Sequence, residues 1–289
     1  MTELVFWTRQ IGGPPSYNQF PEEQAAELLQ YAYKKWIRIF DTAPIYWCGR
    51  SEELIWKYLS EERKNIKIIT KFWFQFDKEW NTFFDFSGRW IKEQLQKSLE
   101  RLQTNYVDTY LLHIPSGNMD INEIITTLNE CKRKKLIGSY GLCNSYENLL
   151  KSFLEHHQSQ IEYIQDFYNL IERKAEKLIF PYLNETHKFM AYSPLYRGLL
   201  TDINVKELLE KDEWAINRLM KNDDLPFIVK KRKVFEIIAT RKWVSLAKLA
   251  MDFLSINQRV NHVLFGTTNE KHLETMIFIS CIIPSLFNI

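Results

Sequence analysis

Glycine is scarce in this chain. Only 9 of 289 residues are glycine, and no G-x-G-x-x-G follows the first strand-like run. The one glycine-rich stretch near it is "IGGPP" (11–15). That weighs against the open, doubly wound sheet, which needs close backbone approach at its first turn. Cysteine is scarce too. The four residues, at 48, 131, 143 and 281, form no C-x-x-C pair, a pattern of reduced thiols in a cytosolic protein and a poor zinc set. No apolar run is long enough to span a bilayer. The most apolar segment, "MIFISCIIPSLF" (276–287), is short, holds Pro284, and reads as a terminal helix docked on the body. The start, "MTELVFWTRQ", lacks a signal-peptide pattern, so the expectation is a cytoplasmic protein with no membrane partner. Charge of one sign is also missing. Lys and Arg number 38 against 36 Asp and Glu, so nothing favours nucleic acid. The one basic run, "KKRK" (230–233), reads as a solvated helix start. Oligomeric state is not legible.

What is present is a core. The hydrophobic fraction is 45% and the aromatic fraction 15%, enough for one large domain. Strand-like runs fall at 4–8, 36–41, 66–71, 106–113, 137–143, 161–166, 188–192 and 261–265. Amphipathic helices are expected at 21–35, 51–62, 88–103, 120–135, 145–157, 172–186, 244–256 and 269–279. In "GRWIKEQLQKSLERLQ", for example, Trp90, Ile91, Leu95, Leu99 and Leu102 share one face. Alternating strands and helices imply a parallel sheet. Eight such units fit an α/β fold, a single-domain (β/α)8 TIM barrel over residues 1–289. The stretch 193–243, after the seventh strand, is the longest connection, with helix-like pieces at 205–222 and 230–240.

A barrel of this kind places its site at the C-terminal ends of its strands. Those ends carry polar groups: Asp41, Lys71, His113, Cys143 with Asn144, Gln165, Tyr192, and Gly266 with Thr267. Tyr46 waits in the loop beyond Asp41. A Lys beside an Asp in a dry site stays charged, and a nearby ammonium lowers a phenol's pKa. Such a Tyr exchanges protons near neutral pH. A His beside it orients a carbonyl oxygen, amides suit a carboxamide, and an aromatic face suits a flat ring. Each residue alone has an ordinary reading. Asp41 caps a loop, Lys71 is a surface charge, His113 is a satisfied core histidine, and Cys143 is a small buried filler. Their convergence on one mouth is what singles them out.

Seven segments, in order, resemble the aldo-keto reductases, (β/α)8 barrels that use a nicotinamide cofactor. They are "FDTAPIYWCGRSEELIWKYL" (40–59), "IITKFW" (68–73), "SLERLQTNYVDTYLLHIP" (98–115), "LIGSYGLCNS" (136–145), "IQDFYNLIER" (164–173), "AYSPLYRGLLT" (191–201) and "VSLAKLAMDFLSINQRVNHVLFGTTNEKHLETM" (244–276). The resemblance implies a catalytic tetrad of Asp41, Tyr46, Lys71 and His113, with Tyr46 as general acid in carbonyl reduction. It implies that Cys143, Asn144 and Gln165 lie at the nicotinamide carboxamide and that Tyr192 stacks on the ring. Ser193, Leu195, Arg197 and Leu199 would wrap the pyrophosphate, and Gly266, Thr267, Thr268 and His272 would lie at the adenosine end. NADP(H) is expected ahead of NAD(H), with a small-molecule carbonyl as substrate. Rings at Trp7, Trp47, Phe72, Trp73 and Phe74 suggest that this substrate is apolar or aromatic.

Five residues, at three places, depart from the family's pattern. Trp7 stands where glycine is common, and Cys143 where serine is common. His272, Thr275 and Met276 stand where an arginine and an acid–asparagine pair are usual. Two other functions stay open on the sequence. One is a cofactor-binding or regulatory protein on a reductase fold; the other is a non-redox acid–base enzyme catalysing dehydration or cyclisation.

Overall fold

The computed structural model describes residues 2–12, 20–76, 82–115, 119–145, 147–157, 160–211 and 225–281. Eight strands close into a barrel: β1 (Glu3–Trp7), β2 (Ile39–Asp41), β3 (Lys67–Phe72), β6 (Val107–Leu112), β7 (Ile137–Cys143), β8 (Tyr163–Phe167), β9 (Lys188–Tyr192) and β10 (Val260–Phe265). A separate antiparallel hairpin, β4 (Phe74–Phe76) with β5 (Thr82–Phe84), sits beyond the end of β3. Every barrel pairing is parallel, and β1 joins both β2 and β10, which seals the ring. The eight-unit expectation holds, and the open-sheet alternative falls with the closure.

Side chains alternate across each strand, so the two faces of the barrel wall differ. Val5, Ile39, Ile69, Leu111, Met190 and Leu264 point inward and form an apolar plug. The outward set, among them Phe6, Phe40, Ile68, Phe72, Tyr110, Ile164 and Phe189, meets the helices and builds the main core. Two residues on from the plug towards the C-terminal ends of β2, β3 and β8, the inward position is polar. That step places Asp41, Lys71 and Gln165 at a single level of the mouth. At Gly141 a Cβ would lie 2.0 Å from the Tyr163 carbonyl oxygen, so β7 and β8 come together there only because the residue is glycine.

Helix boundaries follow their caps. Ser87 accepts from Trp90 N, Asp120 from Glu123 N, and Ser245 from Lys248 N, and each starts a helix: Gly88–Arg101, Ile121–Arg133 and Leu246–Ser255. The expected helix at 172–186 is reduced to one turn, Ala175–Leu178, and a 3-10 turn at Phe180–Tyr182. Pro181 explains the break, since it lacks the N–H that a continuing helix needs. The hairpin β4–β5 was not expected.

The described parts of the connection after β9 are folded. They hold a 3-10 turn (Tyr196–Gly198) and helices Val205–Lys211 and Leu225–Arg241. Together with Leu170 and Ile171 they form a second apolar cluster. The remainder of the piece expected at 205–222 lies outside the described residues. The basic run is a correction. The helix begins at Leu225, well before Lys230, and Arg232 is buried instead of solvated. Its guanidinium donates to the carbonyls of Leu199, Thr201 and Ile203 at 2.8, 3.0 and 2.9 Å. It also pairs with Glu236.

The last helix, Glu270–Cys281, buries Leu273, Met276 and Ile279 as expected for a docked terminal helix; residues 282–287 of that segment lie outside the described residues. Among the described residues no helix is long and apolar enough to cross a membrane.

Candidate active site

Asp41 closes β2 with its side chain inside the barrel, fully buried. Such a carboxylate needs partners, and it has two. Lys71 Nζ, also fully buried, donates to Oδ1 at 2.5 Å, and Gln165 Nε2 donates to Oδ2 at 2.8 Å. Lys71 donates further to the Thr42 carbonyl at 2.9 Å and lies 3.4 Å from the Tyr46 hydroxyl oxygen. Burial works most strongly against the ammonium, but Asp41, together with Tyr46 and Cys143, outweighs it and raises the Lys71 pKa. Burial pushes the Asp41 carboxyl up, opposed by Lys71 and Gln165. The pair stands as ammonium and carboxylate because each compensates the other's desolvation.

The loop that delivers Tyr46 is held from below. Thr8, Thr42 and Ser51 form a hydroxyl cluster, with Thr8 to Ser51 at 2.5 Å and Thr42 to Ser51 at 2.8 Å. Buried Glu52 accepts from Thr70 on β3 at 2.6 Å and from Arg101 at 2.6 Å. The Ser-Glu pair at 51–52 therefore ties the helix Arg50–Leu59 to two neighbours and fixes the loop before it. Trp47 and Cys48 adopt positive φ, 52° and 53°, in that loop. Residues held there cost on the order of 1 kcal/mol or more, and such strain clusters at functional sites.

Tyr46 is 5% exposed, and its oxygen accepts a second, shorter bond from Trp7 Nε1 at 2.9 Å. The expected direction of its pKa is corrected here. Burial raises it above the ordinary tyrosine value, and Lys71 opposes the rise without cancelling it. Tyr46 is thus a neutral phenol at physiological pH, with a proton to give. The His113 ring meets the Tyr46 ring edge-on, 6.0 Å between centroids, and Trp73 flanks His113 at 6.1 Å. Desolvation, then the charges of Lys71 and Arg9, hold His113 well below the ordinary histidine value. It is a neutral imidazole, able to donate or accept.

That depressed pKa fixes a sign. As pH falls below the ordinary value of 6.5, the unfolded chain takes up a proton that the folded site refuses. Stability is therefore full above 6.5 and is lost as pH falls towards the folded pKa. His262, buried at the other end of the barrel, acts in the same sense through burial and the charges of Lys188 and Lys67, against Glu3. Buried Asp166, pushed up to about 7, works the opposite way in this window, because the folded chain keeps its proton up to about 7 while the unfolded chain loses it above 3.8. The histidine contribution is therefore read as a difference: between pH 7 and pH 5 the urea midpoint of wild type should fall relative to that of His113→Asn, a window above the range where Glu22 and Glu130, held near 2, lose their pairing. A wild-type midpoint that does not fall relative to the variant's would contradict a neutral, desolvated His113.

The other expected residues gather at the same mouth. Asn144, in left-handed backbone (φ 55°), donates from Nδ2 to the His113 carbonyl at 2.9 Å and accepts from Tyr192 OH at 2.6 Å. Cys143 Sγ donates to Gln165 Oε1 at 3.2 Å, so the thiol in serine's place still joins the amide network. Tyr192 stacks on Phe167 at 5.5 Å and meets Trp7 on a tilted contact at 5.9 Å. The Ser193–Leu199 turn has positive φ at Ser193, Tyr196 and Arg197 and is anchored by Asn169 on the Ser193 carbonyl and by Arg232 on that of Leu199.

At the far side, Gly266 lies where a Cβ would meet Gln10 Oε1 at 2.0 Å. Thr267 Oγ1 accepts from Asn269 N, Thr268 and His272 are exposed, and Thr275 bonds back to the Lys271 carbonyl at 2.8 Å. Met276 faces the core, so none of these three residues offers an arginine-like fork. Phe72 is a correction to the pocket lining: its ring packs outward on Tyr110, 4.8 Å away. The side chain of Phe74 lies outside the described residues. Two contributors were missed in the sequence. They are the Trp7 indole as a hydrogen-bond donor and Arg9 as a second positive charge, with its guanidinium 5.7 Å from the Trp7 ring.

The sequence profile described as "Aldo/keto reductase family" matches residues 3–282. The chain belongs to the aldo/keto reductase family. Family membership makes it an oxidoreductase acting on carbonyl or alcohol groups with a nicotinamide cofactor. This reductase is 28% identical over 266 residues to the aldo-keto reductase YhdN of Bacillus subtilis, covering 88% of this chain and 78% of the relative. It is 24% identical over 283 residues to the NADH-specific methylglyoxal reductase of Escherichia coli, covering 93% and 86%. In structure it resembles the glycerol dehydrogenase AKR11B4 of Gluconobacter oxydans, with a TM-score of 0.82 at 24% identity, over 96% of this chain and 85% of that one.

The residues at the mouth suit such a cofactor. Two amides, Asn144 and Gln165, converge beside an aromatic face. Gln10 Oε1, buried and without a partner, is an acceptor beside Gly266 that a ligand hydroxyl would satisfy. The amides are meanwhile occupied by protein partners, and Trp7 lies against Tyr192. A ring placed on Tyr192 would displace that contact.

Proposed function

We propose that this reductase converts an aldehyde or ketone to an alcohol, with Tyr46 as the proton donor. The bound cofactor, NADPH or NADH, would supply a hydride to the carbonyl carbon. Tyr46 would give its proton to the carbonyl oxygen, and the phenolate left behind would be stabilised by Lys71, itself held charged by Asp41. His113, neutral, would hold the carbonyl oxygen from the other side. Asn144 and Gln165 would bind the carboxamide, Tyr192 would offer its face to the ring, and the Ser193–Leu199 turn would take the pyrophosphate. The supporting observation is the buried line Asp41–Lys71–Tyr46, at 2.5 and 3.4 Å, placed at the C-terminal mouth of the barrel. The rings of Trp7 and Trp73, beside Tyr46 and His113, favour an apolar or aromatic carbonyl as substrate. Among the described residues Cys48, Cys131 and Cys143 are free thiols, which agrees with action in the cytoplasm.

At the adenosine end, exposed Lys271 is a cation on offer for a 2′-phosphate, with the exposed His272 imidazole next to it in sequence. Exposed point charges discriminate weakly, so NADPH should bind more tightly than NADH by less than about tenfold. Titration of each against tryptophan fluorescence reads this directly, because Trp7 lies on Tyr192. Carbonyl screening follows with the preferred cofactor. A folded protein that binds neither cofactor would sink this reading.

A further inference from the structure

The Tyr46 oxygen accepts from two donors, and the shorter bond comes from Trp7 at 2.9 Å, not from Lys71 at 3.4 Å. A phenol oxygen has two lone pairs, and here both are engaged. Among the described residues none accepts the hydroxyl proton. The proton is therefore directed away from both Trp7 and Lys71. We propose that Trp7 is a positioning residue of the reaction: its indole N–H fixes the Tyr46 hydroxyl and stabilises the phenolate left when the proton is given up. This inference rests on Tyr46 being the proton donor.

Three features support the assignment. The indole and phenol rings meet at 69° with centroids 6.5 Å apart, so the bond comes from an edge contact rather than a stack. Arg9 lies near the Trp7 ring, where a cation draws electron density from the indole and strengthens its N–H as a donor. Trp7 also closes β1 at the same level as Asp41, its register partner on β2, so its backbone is fixed by the barrel and not by a loop. An N–H donor already aimed at developing charge needs no reorganisation when the charge appears. The other charged or titratable groups facing Tyr46 are Lys71, Asp41, His113 and Arg9.

The test is spectroscopic and needs no turnover. In cofactor-free protein, the Trp7 indole N–H signal, assigned by its loss in Trp7→Phe, should move upfield and exchange faster in Tyr46→Phe. With 3,5-difluorotyrosine at position 46, whose phenol ionises at lower pH, 19F NMR should show the midpoint rising by about one pH unit in Trp7→Phe. If carbonyl reduction is established, Trp7→Phe should also lower kcat about tenfold and move its alkaline limb upward. An indole signal indifferent to Tyr46→Phe, or an unmoved midpoint at position 46, overturns the proposal. Either result would leave the reductase reading intact. A protein that reduces no carbonyl but shows both spectroscopic changes would separate the two failures the other way.

Discussion

Tyr46→Phe should lower turnover by about 10³-fold while leaving cofactor affinity within about twofold of wild type. The phenol is a neutral acid at the mouth, buried and supplied with two donors for its conjugate base, one of them an ammonium. Phenylalanine keeps the ring and its contact with His113 but has no proton to give. The substitution leaves the Trp7 N–H without its acceptor and Lys71 one partner short, a loss of about 1–3 kcal/mol, so folding of the variant is checked by its melting curve. Single-turnover hydride transfer and fluorescence titration on the same preparation separate the two effects. Retained turnover would remove Tyr46 from the chemistry. Lost binding with little change in the chemical step would make it a ligand-packing residue.

Much of this site was legible in the sequence because a barrel converts order into place. Once eight strands alternate with helices, the last inward residue of each strand must face one mouth, so Asp41, Lys71 and Gln165 could be gathered without coordinates. The spacing from Asp41 to Tyr46 and the helix start at Ser51 were legible as well, but the burial of Ser51 and Glu52 that ties the loop down was not. What the sequence hid depends on side-chain direction or on a balance of terms. The Trp7 to Tyr46 bond joins residues 39 positions apart and needs a specific rotamer. The pKa of Tyr46 is a contest between burial and Lys71, and the sign cannot be read from the presence of the lysine alone. Arg232 was lost in a charge run, although a signal existed. Ile228, Phe235 and Ala239 share its helical face and pack in the second cluster, and that periodicity marks an arginine turned inward. The helix expected over 172–186 ignored Pro181, which outweighed the apolar spacing around it.

Lys71→Met should be the most damaging single change. Methionine fills most of the volume but leaves the Asp41 carboxylate buried with Gln165 as its one remaining side-chain donor. Breaking a buried pair in this way costs about 3–5 kcal/mol, a fall in Tm on the order of 10 °C for a chain of this size. Activity should fall by about 10³-fold as well, since the phenolate loses its cation. The loss of stability should depend on pH, and its sign follows from Asp41. Without Lys71 the carboxyl is raised further above its ordinary value of 3.8, so the fold prefers it protonated. Stability is then greatest below 3.8 and declines as pH rises towards the folded pKa, so the variant should lose more relative to wild type at pH 8 than at pH 5. Adding Asp41→Asn removes the stranded charge. The double variant should recover more than about half of the lost stability while its turnover stays at the level of Lys71→Met. Recovery without activity would separate the pair's structural role from its chemical one. A double variant no more stable than Lys71→Met would show that the cost lies in packing around position 71, and the buried carboxylate would no longer explain it.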